Sequence, residues 1–178
     1  MITPQTIAQL RAYARQDGLL LALLWIASFA SMMYTPETPI SQLLLLSTPF
    51  FVGWRMVAFR QDALDGAMSY RRGFAYCLHT FFYASLVFAV AQFLYFRYLD
   101  GGRFLMQMTQ AVDLMKEMAS QSPSTGQMDT MAAQMNESLQ EMREMKPIDL
   151  TFFFMMMNMW IGFISSVVIA FFGRKTKK

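Results

Sequence analysis

A chain of 178 residues that is 55% apolar and only 15% charged has too little polar surface for a water-exposed globule, in which about a quarter of residues carry charge. The formal charge of +3 does not point to nucleic acid, because the basic residues sit in short flanks beside apolar runs, where they set orientation in a membrane. The single cysteine, Cys77, excludes an intramolecular disulfide and any multi-cysteine metal site; within an apolar run it reads as a small packing residue.

The first apolar run covers 18–34 (GLLLALLWIASFASMMY) and carries no charge. It is at the short end of what crosses a bilayer, about 20 residues at 1.5 Å each, and can recruit residues before Gly18. Arg11 and Arg15 ahead of it, with Ser28-Phe29-Ala30 inside it, resemble a cleavable signal peptide. The basic region is long and the apolar run continues past the small residues, so a retained span is expected. The second run, 40–59, is interrupted only by Arg55, and Pro49 inside it should kink the helix beside Ser47 and Thr48. The third run covers 74–96 and the fourth 148–172, with Asp149 at its start. None shows the strict alternation of barrel strands, so four helices are expected.

Between the third and fourth runs, 97–147 is the sizeable polar segment. Gly101-Gly102 should break the third helix. A helix follows over 103–120, with Leu105, Met108, Val112, Met115 and Ala119 alternating at three and four residues, one seam of a heptad. Ser122-Pro123-Ser124-Thr125-Gly126 reads as a turn. A second helix over 127–146 sets Met128, Met131, Met135, Leu139 and Met142 on one stripe, and Pro147 ends it. Two such helices joined by a turn should pair as an antiparallel hairpin. Half of the 18 methionines lie here, which invites copper. Heptad spacing accounts for most of them without it, and no His or Cys accompanies them, so no metal or other cofactor is expected. The stripe is too thin to bury itself in a core of its own. Met108, Met115, Met131, Met135 and Met142 are therefore the candidate partner-binding residues.

Ionisable groups inside a membrane are functional candidates by default. Arg55 and His79 both fall about 6–8 Å below one interface by helix rise, where they could meet each other or share a lipid phosphate. No Asp or Glu lies deep in any span, which weighs against a proton relay. Ser47, Thr48, Ser85 and Asn158 fall near the midplane as candidate interhelical hydrogen-bonding groups. With one His and no glycine-rich phosphate loop, catalysis has little to work with.

Basic residues gather before the first run, between the second and third (Arg60, Arg71, Arg72) and after the fourth (Arg174, Lys175, Lys177, Lys178), whereas 35–39 has none. Both termini should then be cytoplasmic and 97–147 outside. The entry to the third run, Ser69-Tyr70-Arg71-Arg72-Gly73-Phe74, its exit, Gln92-Phe93-Leu94-Tyr95-Phe96-Arg97-Tyr98-Leu99-Asp100, and the basic tail resemble a family of small bacterial inner-membrane proteins, domain of unknown function 4199. The resemblance spans nearly the whole chain and implies four spans with a helical insertion before the last; it implies no activity, cofactor or catalytic residue. The expectation is an all-α, four-span protein with an extracytoplasmic amphipathic hairpin. Its expected role is non-enzymatic: an accessory or assembly protein in contact with the bilayer and with a membrane-protein partner or a second copy of itself. Small-solute or lipid transport is the alternative.

Overall fold

A computed structural model describes residues 4–120 and 125–175. The turn expected at Ser122, Pro123 and Ser124 and the tail lysines Lys177 and Lys178 lie outside the described residues, as does the side chain of Met128. The described chain is all-helical: α1 (Pro4–Tyr34), α2 (Ile40–Leu64), α3 (Tyr70–Tyr98), α4 (Arg103–Ser120), α5 (Thr125–Glu144) and α6 (Pro147–Gly173). Four of these, α1, α2, α3 and α6, are long and apolar enough to cross a membrane.

The helices outrun the apolar stretches that announce them. α1 is 31 residues long because many residues ahead of Gly18 are strong helix formers, Ala, Gln, Leu and Arg among them, and nothing there stops the helix. Its buried positions, Leu10, Ala14, Asp17, Leu21, Trp25 and Ser28, recur every three or four residues along one face. α2 passes through Pro49 and turns Ser41, Thr48, Val52, Met56 and Phe59 inward. It stops where Asp65 and Gly66 take left-handed φ of 49° and 78° and the Gly66 N–H returns to the Arg60 carbonyl at 3.0 Å, a common helix terminator. α3 ends before Gly101 and Gly102, both at positive φ. The Asp100 carboxylate then accepts from the Gly102 and Phe104 N–H groups at 3.0 and 2.9 Å, supplying the first turn of α4 with acceptors. Pro147, expected to end the second hairpin helix, lies just past the end of α5 and opens α6, where its missing N–H costs nothing.

The chain divides into two compact units, residues up to Ala91 together with Phe153 onward, and Gln92–Phe152. In the first, two glycines let helices touch. A Cβ on Gly18 would lie 2.8 Å from the Cβ of Tyr83, and one on Gly162 would lie 2.7 Å from that of Phe81. Both α1 and α6 thus approach α3 backbone-close, the small-residue packing of membrane helices. Beyond Leu150 and Thr151 near its start, α6 buries a narrow stripe, Gly162, Ser166, Ile169 and Ala170. Phe152, Trp160, Ile164 and Phe172 stand exposed around it, as suits a helix whose solvent is lipid. Met68 and Lys175 exchange backbone hydrogen bonds of 2.8 and 3.0 Å, and Arg60 Nη1 donates to the Gly173 carbonyl at 2.9 Å, so the α2–α3 loop clasps the end of α6.

In the second unit Val112 of α4 and Ala132 and Leu139 of α5 form a small core. Arg143 near the end of α5 reaches Thr109 near the start of α4 at 3.3 Å, so the two helices run in opposite directions.

Candidate functional site

Asp17 lies on the buried face of α1 and is 1% exposed. Its Oδ1 accepts from Arg55 Nε of α2 at 2.6 Å, and its Oδ2 accepts from the Tyr76 hydroxyl of α3. The Tyr76 ring stacks on Phe59 at 4.8 Å with planes 6° apart, and Phe59 meets Tyr13 at 5.1 Å. Three helices thus converge on one carboxyl group behind an aromatic wall. The Arg55 side chain stays 25% exposed, with its guanidinium carbon 5.4 Å from the centre of the Trp54 ring. Its Nη donors have no hydrogen-bond partner among the described residues.

This corrects the expectation that no acid lies deep in a span. That reading started the first span at Gly18, one residue too late to see Asp17 inside a continuous helix. The stripe Leu21, Trp25, Ser28, followed backwards at helical spacing, reaches Asp17 and Ala14, and would have found it. Tyr76 had no such signal. Arg55 is bound to Asp17, while His79, the partner suggested by equal depth, has its Nδ1 2.7 Å from the Ala75 carbonyl of its own helix. The structure therefore engages the two separately.

The midplane candidates divide in the same way. Thr48 Oγ1 accepts from Trp25 Nε1 at 3.0 Å, joining α2 to α1, and Ser28 Oγ donates to the Ser41 carbonyl at 2.9 Å. Ser47 turns back to the Leu44 carbonyl of its own helix at 2.6 Å. Ser85 Oγ is buried without a hydrogen-bond partner among the described residues, and Asn158 is half-buried on α6. Cys77 is fully buried, its Sγ 3.5 Å from Met56 Sδ, a packing role as expected. Chemically the cluster can hold a charge pair and present a partly exposed arginine. Among the described residues no three His, Cys, Asp or Glu side chains gather as a metal would need.

The methionine candidates separate into inner and outer sets. Met108 and Met115 pack against the Val112, Ala132 and Leu139 core. Met131 and Met135 are 55% and 36% exposed, and Met142 is half-buried. Of the stripe expected to form the α5 seam, Leu139 stays in the core while Met131 and Met135 fall on its flank. Ala132, one residue along from Met131, is buried in the seam instead, where a small side chain lets two helices pack tightly.

A family model described as a protein of unknown function (DUF4199) matches residues 16–175, which takes in Asp17, Arg55 and Tyr76 as well as the α4/α5 pair. No curated protein matches the chain, and no solved structure does. The chain therefore belongs to this family of proteins of unknown function, as a multi-pass membrane member of it.

Proposed function

We propose that the protein is a non-enzymatic accessory or assembly component of a bacterial cytoplasmic membrane. In this reading both termini face the cytoplasm, the α4/α5 pair is extracytoplasmic, and the uncovered flank of α5 captures a membrane-protein partner or a second copy of the chain. The observation that carries it is the displacement of Met131 and Met135 into the open while Ala132 and Leu139 close the seam. Flexible thioether side chains adapt to varied partner surfaces. Thr48, Ser28 and Ser47 are already used within the bundle, which fits a scaffold better than a conduit. The test is Met131→Gln with Met135→Gln, which keeps length and helix propensity. The double variant should keep its thermal stability and lose self-association or partner co-purification. Unchanged association together with a clear fall in stability would sink the proposal, because it would make these residues part of the internal seam.

One observation favours a second reading, a component of small-solute or lipid transport: the buried, unpartnered Ser85 hydroxyl. Flux into proteoliposomes that vanishes in Ser85→Ala and Asn158→Leu would favour it; absence of flux in the unaltered protein would dismiss it.

A further inference from the structure

An apolar groove of about 470 Å³ runs between α2 and α6, lined by Phe50, Gly53, Trp54, Val168, Phe172 and Gly173 among others. Gly53 makes room for it, since even a Cβ there would meet only Ile169, at 3.9 Å. Phe50, Trp54 and Phe172 stand out as its rims, 79%, 63% and 80% exposed. Both walls belong to candidate membrane spans, so acyl chains rather than water reach this surface.

One end of the groove is charged. The Gly173 carbonyl is held by Arg60 Nη1, and Arg60 Nε is buried with no acceptor among the described residues. Arg174 follows, its guanidinium carbon 4.5 Å from the Phe171 ring centre, and then Lys175, tied to Met68 by the backbone. Arg71 and Arg72 at the start of α3 add to the same end of the first unit, where Asp62 and Asp65 only partly offset them. We propose that this groove holds a phospholipid with an anionic headgroup, its acyl chain along Phe50–Val168 and its phosphate at Arg60 and Arg174. A second copy of the chain fits less well: copies share one orientation in a membrane, so like cationic ends would meet.

Native mass spectrometry of the purified full chain tests this with phosphatidylglycerol and phosphatidylethanolamine of identical acyl chains. The protein should retain the anionic lipid at least about fivefold more than the zwitterionic one, since each Lys or Arg beside a net negative headgroup adds attraction of about that factor. Arg174→Gln with Lys175→Gln should bring the two lipids toward parity. Gly53→Leu and, independently, Val168→Phe fill the groove without touching charge and should lower phosphatidylglycerol retention while thermal stability holds. Equal retention of the two lipids by the unaltered protein would overturn the proposal. So would undiminished retention in a stably folded groove-filling variant, which would reduce the effect to surface attraction, or a dimer that the groove-filling variants dissociate.

Discussion

A carboxyl group that is 1% exposed on an apolar helix face has lost its water and must recover hydrogen bonds from the protein, and Asp17 recovers them from Arg55 and Tyr76. Losing either end of the ion pair is not equivalent. Arg55→Ala strands a carboxyl at full burial and should cost about 3 kcal/mol, the low end for breaking a buried pair. Asp17→Asn leaves an arginine whose side chain is 25% exposed and can turn toward headgroups, so roughly 1–2 kcal/mol is expected. Replacing both with Leu should recover most of the loss. Reversible unfolding in mixed micelles measures all three, and equal losses for the two single variants would contradict this asymmetry. In the same assay Arg55→Ala should couple to Asp17→Asn by more than about 0.5 kcal/mol, and His79→Ala should add independently to Arg55→Ala.

At the scale of elements, the contacts that matter are made by the smallest residues. Gly18 and Gly162 set α1 and α6 against α3 with no room for a methyl group, so Gly162→Val should cost about 1–3 kcal/mol by over-packing against Phe81. Trp160, two residues away yet 63% exposed, should tolerate Leu within about 0.5 kcal/mol. The α4/α5 pair repeats the pattern. Ala132→Met should disrupt the seam with Val112, lowering the melting temperature, whereas Met131→Gln one residue earlier should leave it within about 1 °C, because surface changes move stability little. A melting temperature that falls equally in both variants would show that no distinction between seam and flank exists.

For the molecule as a whole, the proposed orientation is open to direct labelling. Lys116, with 49% of its side chain exposed, and Arg71, at the exposed start of α3, should lie on opposite sides of the bilayer. In a Cys77→Ser background, an impermeant maleimide applied to intact cells should modify Lys116→Cys and spare Arg71→Cys. Modification of Arg71→Cys alone would invert the topology.

Spans, helix order and family were legible in the residues themselves, because an uncharged run near 20 residues has few ways to exist other than as a helix in lipid. Glycines at 101 and 102 and the heptad pattern of 103–120 likewise announced a break and a paired helix. The sites were less legible. Hydropathy starts a span where charge ends, so it set the boundary at Gly18 and left Asp17 outside. The helix itself ignores that boundary, and only the packing of α1 against α2 and α3 turned Asp17 inward to Arg55 and Tyr76. Equal depth could suggest that Arg55 meets His79, but depth fixes position along a helix and says nothing of azimuth. Heptad spacing put Met131 and Met135 in the seam for a related reason: it defines a stripe to within one residue, and the choice between Met131 and Ala132 falls to which side chain lets the two backbones come closest. Sequence alone determined which segments enter the membrane, through transfer energies that each residue carries with it. Tertiary structure decided which side of each segment meets another helix, because that depends on shapes and partners brought together from distant parts of the chain.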